Sequence, residues 1–462
     1  MFDKSIYIER RKKLAEDVKN GVILIMGNNE SPMNYPKNTY HFRQDSNFLY
    51  FFGLDHDGLA GLIDIDENKE YIFGNDVDMD DIIWMGFQPS MKARCASVGV
   101  EHTLPFDEIE NYLKAAHTRG RKIHFPPPYR HDNMIWLNRV LKIPFKEMAD
   151  HSSELLIASI VKQRSVKNQY EIIEIEKAIE TAWLMHTTAM KMAKEGIVER
   201  EIAGVIEGLA LSKGGPVSFP VILSINGQTL HNHYHGNILK KGFMMVVDAG
   251  CETEMHYCSD ITRTVPVGGL FNTRQKEVYQ AVLDAQKTAI SHTKPGIANK
   301  ELHLLACRSL AESLKAIGLM KGNMEDAVKA GAHALFLPHG LGHMMGLDVH
   351  DMEDLGEKFV GYDESVERSS QFGLSFLRFA KKLQTGNVFT IEPGCYFIPA
   401  LIDQWKSEKK FTEFLNYNLI ETYKDFGGIR IEDDILVTET GSKVLGKAIP
   451  KTITEIENLM AI

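Results

Sequence analysis

Several features are scarce in this sequence of 462 residues, and each absence excludes a class of protein. The five cysteines are scattered and form no C-x-x-C pair, which argues against a disulfide framework or a zinc knuckle and indicates reduced thiols in the cytoplasm. No apolar run approaches the length of a membrane span, so we expect no membrane partner. The opening residues MFDKSIYIERRKK contain no apolar stretch, so we expect no secretory signal.

Positive charge is also in short supply, since 52 lysines and arginines stand against 62 aspartates and glutamates and give a net charge of −10. Binding of nucleic acid needs a basic face, so we expect no nucleic-acid partner. The content of 44% hydrophobic and 25% charged residues is typical of a globular protein. This chain is longer than a single hydrophobic core ordinarily organises, so its length predicts two domains.

Residues 1–160 predict a small α/β domain. The segment GVILIMG (21–27) has the composition of a buried strand, and the three prolines of KIHFPPPYR (122–130) mark a loop. This part of the sequence contains neither metal-ligand spacing nor a glycine-rich phosphate loop. A helical pattern over residues 152–196 spans the boundary and leads into a second domain, residues 161–462.

Residues 161–462 contain a loose internal repeat. The segment KKGFMMVVDAG (240–250) is echoed by QTGNVFTIEPG (384–394). In both, an apolar strand ends in an acid, which is Asp248 in the first segment and Glu392 in the second. We interpret the repeat as a duplicated αβ unit in which each half supplies acids at its strand ends.

Each repeat is followed by a second strand that carries an acid, Asp260 in SDITRTVPV and Glu432 in GIRIEDDILV. A single acid at a strand end is usually solvated or caps a helix, and that is the ordinary interpretation of any one of them. Four acids at matching places favour a common centre. Four carboxylates around one centre could not all ionise without compensating positive charge, and two divalent cations would balance them.

Three histidines lie between the two halves, in the segment LFLPHGLGHMMGLDVHD (335–351). They are His339, His343 and His350, and the neighbouring glycines allow tight backbone turns. A histidine-rich loop with no shared task is the alternative interpretation. Beside four placed acids, however, an imidazole supplies the nitrogen ligand of a carboxylate-rich binuclear centre, which suits manganese better than a thiolate-type zinc site. Such centres are hydrolytic.

Several motifs in the correct order carry a family resemblance that covers nearly the whole chain. They are YHFRQDSNFLYFFGL (40–54), the histidine segment 335–351, GYDESVERSSQFGLSFLRFAKKLQTGNVFTIEPGCYFIP (361–399) and FGGIRIEDDILVTETG (426–441). Together they resemble the prolidase and aminopeptidase P branch of the pita-bread metallopeptidases. The resemblance implies an α/β protein of two domains, with a creatinase-type N-terminal domain followed by a duplicated pita-bread catalytic domain.

The resemblance also implies the residues of the site. The metal ligands of the family fall on Asp248, Asp260, His343, Glu392 and Glu432. Glu432 would bridge two divalent ions, for which Mn²⁺ is the first choice and Co²⁺, Zn²⁺ and Fe²⁺ are alternatives. Glu392 would also shuttle a proton, and His339 and His350 would bond the substrate carbonyl or the developing oxyanion. Arg430 would project beside Glu432 toward the substrate.

Two smaller expectations concern the neighbourhood of these ligands. Asp433 and Asp434, which complete the RIEDD run, are expected to be supporting or turn residues rather than ligands. The family places a histidine upstream of the first aspartate, and TLHNHYHGN offers His231 and His233. The distance from Gly242 favours His231, whereas the His-Tyr doublet favours His233, which we prefer.

The implied reaction is hydrolysis of the bond before proline, a tertiary amide without an N–H group. The long insertion between His350 and Glu392 looks like prolidase, in which an arginine, here Arg378, binds the free carboxylate of a dipeptide. This favours an Xaa-Pro dipeptidase over an Xaa-Pro aminopeptidase, although Arg378 could also be a surface cation. A non-catalytic pita-bread interaction module and a metal-free creatinase-type hydrolase are less compatible, because all five ligand types are present.

The resemblance finally implies an assembly. Such first domains form dimer contacts and partly cover the neighbouring active site, and Trp84 matches a tryptophan that the family passes to the partner's pocket. A core position for Trp84 is the alternative. We therefore expect a cytoplasmic homodimer that acts on small peptides.

Overall fold

The computed structural model describes residues 1–461, which divide into two compact units. The N-terminal unit comprises Met1–Arg164 and Met352–Phe359, and the C-terminal unit comprises Ser165–Asp351 and Val360–Ile462. The boundary at Arg164 lies close to residue 160, where we expected it from the sequence. No sequence pattern indicated that the later segment Met352–Phe359 belongs with the N-terminal unit. Within residues 1–461, no helix has both the length and the apolar character that crossing a membrane requires.

The N-terminal unit is built around a mixed sheet of five strands in the order β6-β5-β4-β1-β7. Its strands are β1 (Val22–Met26), β2 (Pro32–Tyr35), β3 (Asn38–Thr39), β4 (Ala60–Asp64), β5 (Lys69–Phe73), β6 (His102–Leu104) and β7 (Ile123–His124). The strands β2 and β3 form a separate hairpin. Its helices are α1 (Lys4–Val18), α2 (Ser46–Phe52), α3 (Met79–Met85), α4 (Met91–Ser97), α5 (Glu108–Thr118), α6 (His131–Leu141) and α7 (Glu154–Arg164).

Alternating apolar residues of the central strands form the core of this unit. Val22 and Leu24 of β1 and Leu62 of β4 belong to one buried cluster with Ile109 of α5 and Leu137 of α6. Side chains at every second strand position point to the same face of a sheet, so this alternation fixes which face the helices cover.

The C-terminal unit contains two small three-stranded sheets, β10-β9-β8 and β11-β14-β15, and a two-stranded one, β12-β13. Its strands are β8 (Ile222–Ser224), β9 (Met244–Ala249), β10 (Ile261–Pro266), β11 (Val388–Ile391), β12 (Gly394–Tyr396), β13 (Gly428–Arg430), β14 (Asp433–Val437) and β15 (Ser442–Val444). Its helices are α8 (Gln169–Met192), α9 (Glu199–Ser212), α10 (Thr273–His292), α11 (Asn299–Ala316), α12 (Met324–Ala330), α14 (Pro399–Ser407), α15 (Tyr417–Ile420) and α16 (Ile453–Met460). The short helix α13 (Glu357–Val360) begins in the segment Met352–Phe359 of the N-terminal unit.

The helical pattern over residues 152–196 is interrupted between α7 and α8. Asn168 caps α8, because its side chain accepts from the backbone N–H of Glu171 while the Glu171 carboxylate accepts from the N–H of Asn168. This reciprocal capping box satisfies backbone donors that the first turn of a helix leaves unpaired. The interruption coincides with the boundary between the two units at Arg164.

The two halves of the C-terminal unit use the same backbone hydrogen bonds, as a duplicated unit predicts. In the first half, the N–H of Gly196 donates to Leu239 O at 2.9 Å and the N–H of Leu239 donates to Ile197 O at 2.8 Å. In the second half, Gly296 and Leu383 make the corresponding pair of bonds at 2.9 and 2.8 Å. Each pair ties the turn between two long helices to the segment that leads into the acid-bearing strand.

Candidate metal centre

The strand pairings bring the four predicted acids together. Asp248 lies on β9, opposite Thr262 of β10, and Asp260 directly precedes β10. In the second half, Glu392 directly follows β11 and Glu432 directly precedes β14. Because each pair of strands is antiparallel, the end of one strand lies beside the start of the other, and both acids of a half emerge at the same place.

His343 reaches this place from a loop that lies against β11. Its N–H donates to Thr390 Oγ1 at 3.1 Å, and its carbonyl accepts from the N–H of Thr390 at 2.9 Å. A Cβ at Gly342 would lie only 1.8 Å from the carbonyl oxygen of Thr390, so glycine is required there for the loop to approach the strand. The loop therefore fixes the His343 imidazole beside the acids.

The hydrogen bonds of His343 determine which of its nitrogens is available. Nδ1 lies 3.1 Å from the carbonyl oxygen of Met344, so it carries the proton and donates. The unprotonated Nε2 then points at carboxylate oxygens, 3.3 Å from Asp260 Oδ2 and 3.7 Å from Glu392 Oε1. A lone pair that faces two carboxylates is repulsive unless a cation lies between them. Ligand atoms of Asp260, His343 and Glu432 all lie within 4.8 Å of one another.

Carboxylate oxygens without a hydrogen-bond partner also indicate that the centre binds a cation. The side chains of Asp248 and Asp260 are 10% and 7% exposed. Among the residues that the structure describes, neither Asp248 Oδ1 nor Asp260 Oδ1 has a hydrogen-bond partner. A buried carboxylate oxygen without a partner costs free energy, so the residues present fit a bound cation.

The raised pKa values of the acids also indicate that the centre lacks compensating positive charge. Burial, followed by the charge of Asp248, raises the pKa of Asp260 well above its usual value. Burial, followed by the charges of Asp260 and Glu392, does the same to the pKa of Glu432. Burial also raises the pKa of Glu392, against the opposing effects of His343 and Arg430. The cluster therefore holds more negative charge than its protein neighbours compensate.

A protein cation, Arg430, contacts the acids directly. Its buried guanidinium donates to Asp248 Oδ2 at 2.5 Å and to the hydroxyl of Tyr396 at 2.9 Å, while Nε donates to Thr262 Oγ1 at 3.1 Å. Thr262 in turn donates to Glu432 Oε2 at 2.7 Å. Each guanidinium nitrogen thus has an acceptor within the protein, as burial of a charge requires, and the expected projection of Arg430 toward the substrate stays a prediction.

Tyr396 is a residue of this site that the sequence analysis missed. Its hydroxyl accepts from Arg430 and lies 2.9 Å from Nε2 of His339, to which it donates. Nδ1 of His339 lies 2.8 Å from the carbonyl oxygen of Gly340 and therefore carries the ring proton. Burial, followed by the charge of Arg430, lowers the pKa of His339 to about 3. His339 is thus neutral, and both of its nitrogens are engaged. A tyrosine in an apolar strand gave no functional signal.

His350 and Arg378 lie at the same centre. The rings of His350 and His343 are stacked, with centroids 3.9 Å apart and planes inclined by 33°. Burial, followed by the charges of His343 and Arg378, lowers the pKa of His350 to about 2. Arg378 is half-buried, and its charge also favours the ionised form of Glu392. These interactions place Arg378 within electrostatic reach of the acids.

The upstream histidine His231 is within electrostatic reach of the centre. Desolvation, followed by the charge of Arg430, lowers the pKa of His231, and Asp248 acts in the opposite direction. His231 and His233 are, however, both exposed. Our preference for His233 over His231 therefore stays a prediction.

The remaining acids of the RIEDD run, Asp433 and Asp434, contact the segments that carry the ligand candidates. Asp434 Oδ2 accepts the backbone N–H of Asp260 at 3.1 Å. Asp433 forms ion pairs with Arg263 and Lys451, both at 2.6 Å. Arg263 also donates to the backbone carbonyl of Glu432 at 2.6 Å, which fixes the start of β14. These contacts agree with the supporting roles that we expected.

Trp84 lies in the N-terminal unit. It is 83% exposed, and it belongs to α3, none of whose residues is buried. The core alternative for Trp84 is therefore wrong.

Buried carboxylates with unpaired oxygens and one inward-facing imidazole nitrogen define the class of this site as the metal centre of a metalloenzyme. Residues 174–439 match Metallopeptidase family M24, and residues 7–124 match the aminopeptidase P N-terminal domain. The chain belongs to metallopeptidase family M24. The family implies divalent metal ions.

Full-length relatives carry two different names. The Xaa-Pro dipeptidase of Homo sapiens is 31% identical over 480 residues, covering 99% of this chain and 93% of that protein. The probable Xaa-Pro aminopeptidase pepP of Botryotinia fuckeliana is 30% identical over 461 residues, covering 98% of this chain and 94% of that protein.

The structure of aminopeptidase P from Escherichia coli with the inhibitor Pro-Leu superimposes with a TM-score of 0.81 at 27% identity. The match covers 100% of this chain and 98% of that one. The expected family, the two-domain α/β fold with a pita-bread domain and the metallopeptidase class are confirmed.

We expect the affinity of the protein for Mn²⁺ to fall as the pH is lowered. The raised pKa values of Asp260 and Glu432 mean that protons compete with the ion, so affinity is complete above those values and is lost below them. Calorimetric titration in buffers of different ionisation enthalpy should also show proton release on binding.

In the variant Asp260→Asn, the affinity for Mn²⁺ should fall by at least about 100-fold. The matched control is Glu439→Gln, which removes the charge of an exposed acid and should leave the Mn²⁺ affinity unchanged. Equal Mn²⁺ affinity in Asp260→Asn and the wild type would contradict the assignment.

Proposed function

We propose that this chain is an Xaa-Pro dipeptidase that uses two divalent metal ions, with Mn²⁺ as the first choice. The observation that carries the proposal is the buried acidic centre, in which one oxygen each of Asp248 and Asp260 lacks a partner. The charge of an arginine, Arg378, acts on Glu392 of this centre. The ions would be held by Asp248, Asp260, His343, Glu392 and Glu432. One nitrogen and otherwise carboxylate donors suit Mn²⁺ better than softer metals.

When bound, the ions supply a water of lowered pKa and polarise the scissile carbonyl. Glu392 is suited to accept a proton from the attacking water and to pass it to the proline nitrogen, because burial raises the pKa of its carboxyl. Its side chain is 18% exposed, so it can exchange protons with a bound substrate.

The histidines share the task of orienting the substrate. His350 is neutral, since its pKa is lowered to about 2 by burial and then by His343 and Arg378, and a neutral imidazole can donate to the scissile carbonyl. Both nitrogens of His339 are already engaged by Gly340 and Tyr396. We therefore propose that His350 donates to the scissile carbonyl and that His339 positions the Tyr396 hydroxyl. His231 and His233 are the candidates to line the substrate pocket.

Arg378 decides between a dipeptidase and an aminopeptidase. A dipeptide with proline at its second position ends in a carboxylate directly after the proline ring, and a guanidinium can bind that carboxylate through two parallel hydrogen bonds. Similarity to the human Xaa-Pro dipeptidase over nearly the whole chain supports this role. The second candidate, an Xaa-Pro aminopeptidase, is supported by the fungal relative and by the fold of the Escherichia coli enzyme.

The test compares hydrolysis of Ala-Pro and Ala-Pro-Ala by the Mn²⁺-loaded protein. We expect cleavage of Ala-Pro and little cleavage of the tripeptide. In Arg378→Ala, kcat/KM for Ala-Pro should fall by about 100-fold, because the substrate carboxylate loses its charged partner. Arg368→Ala is the matched control, since Arg368 lies in the same insertion and is exposed.

Preference for Ala-Pro-Ala, with Arg378→Ala unaffected, would make the protein an aminopeptidase. Cleavage of neither peptide by protein with confirmed bound metal would contradict proline-specific hydrolysis altogether. A non-catalytic interaction module would give this last result.

We extend the proposal to a homodimer held through α3. Ile83, Trp84, Met85 and Phe87 are 70–83% exposed on and just after this short helix, and apolar groups of this size favour an interface. The five buried free cysteines support a reducing compartment such as the cytoplasm. Sedimentation equilibrium should show a dimer that Trp84→Asp weakens and Leu270→Asp, at another exposed apolar residue, does not. A wild-type monomer would exclude this assembly.

A further inference from the structure

A second cluster of metal-binding residues lies in the C-terminal unit outside the acidic centre. His303 and Cys307 are one turn apart on α11, so their side chains lie on the same face of the helix. His333 approaches them from the short 3₁₀ helix Ala332–Leu335. Ligand atoms of all three residues lie within 4.8 Å of one another, and the three residues are 0–1% exposed.

Ordinary core packing explains only part of this cluster. The Sγ of Cys307 lies 3.4 Å from Nε2 of His303, which is consistent with a weak thiol hydrogen bond. The ring of His333 packs edge-on against that of His303, with centroids 6.3 Å apart. Within residues 1–461, however, neither ring nitrogen of His333 makes a hydrogen bond of good geometry, and the backbone of Val328 is the polar group that acts on the ring. A buried imidazole that is so incompletely paired is costly, and a phenylalanine would fill the space without that cost.

The protonation states leave two lone pairs available. Burial lowers the pKa of His303 to about 3 and that of His333 to about 4, so both imidazoles are neutral near neutral pH. Burial raises the pKa of the Cys307 thiol. A metal ion would displace the thiol proton to solvent as the metal–sulfur bond forms, and no electrons are transferred.

We propose that His303, Cys307 and His333 form a second metal site that binds one thiophilic d¹⁰ ion, Zn²⁺ or Cu⁺. A thiolate and two imidazoles are the donors that such ions prefer, whereas Mn²⁺ and Mg²⁺ prefer oxygen. With Cu⁺ the buried site would be neutral and three-coordinate. With Zn²⁺ it would carry one positive charge and need a fourth ligand. The site is separate from the proposed peptidase chemistry in both donors and ion.

The bound ion would connect two elements of the C-terminal unit. His333 belongs to the segment that continues directly into the loop carrying His339 and His343. An ion at the second site would therefore fix this segment to α11.

Cobalt absorption tests the site without any peptidase assay. Full-length protein is loaded with Mn²⁺ and titrated with Co²⁺ alone under reducing conditions that contain no competing thiol. Only a cysteine ligand gives the intense thiolate-to-cobalt charge-transfer band, and the acidic centre has none. We expect this band to saturate at one Co²⁺ per chain, and its absence in the wild type would overturn the proposal.

Variants identify the ligands. Cys307→Ala should lose the band, whereas Cys95→Ala, at a buried cysteine of the other unit, should keep it. His333→Phe keeps a buried ring, removes both nitrogens and should weaken Co²⁺ binding by at least about tenfold. An undiminished band in both Cys307→Ala and His333→Phe would place the cobalt elsewhere and overturn the assignment.

Two separate arms identify the ion. Zn²⁺ alone or Cu⁺ alone, added to the cobalt form, should erase the band at one equivalent, and the ion that does so at the lower free concentration is the preferred occupant. An excess of Mn²⁺ should leave the band in place. Failure of both Zn²⁺ and Cu⁺ to displace cobalt would overturn the assignment to a thiophilic ion.

Discussion

Repulsion among buried carboxylates is the constraint on which the C-terminal unit depends. Asp248, Asp260, Glu392 and Glu432 meet where two antiparallel strand pairs end, and burial raises the pKa of three of them. The guanidinium of Arg430 compensates only part of their charge. Such an arrangement is unstable as a set of free anions and becomes favourable when divalent cations are bound, so metal binding and local stability are linked.

The surrounding structure holds these acids at their positions. Asp434 accepts the backbone N–H of Asp260, and Arg263 donates to the carbonyl of Glu432 while it pairs with Asp433. Thr262 connects Glu432 with Arg430. Groups of this kind orient metal ligands and keep the acids close despite their repulsion. The three consecutive acids of the RIEDD run thus divide into one ligand candidate and two supports.

Sequence patterns predicted the parts of the site that depend on local order, and they missed those that depend on contacts between distant segments. The apolar strands ending in Asp248 and Glu392 were recognisable because burial and alternation leave a local signal. The partnership of Tyr396 with His339 and Arg430 was not, since a tyrosine in a strand is ordinary core. Likewise, His333 and Cys307 come from different helices, and no spacing rule connects them. The contacts of Arg430 with Asp248 and Tyr396 also join distant segments, so they required the fold itself.

The central claim is that two metal ions balance the buried acids, and electron paramagnetic resonance during a Mn²⁺ titration tests it most directly. Two ions roughly 3.5–4 Å apart interact magnetically. The account predicts binding of two Mn²⁺ per chain in the acidic centre, with the signal of a spin-coupled pair. A single uncoupled Mn²⁺ at saturation, or binding that survives loss of both Asp260 and Glu432, would contradict it.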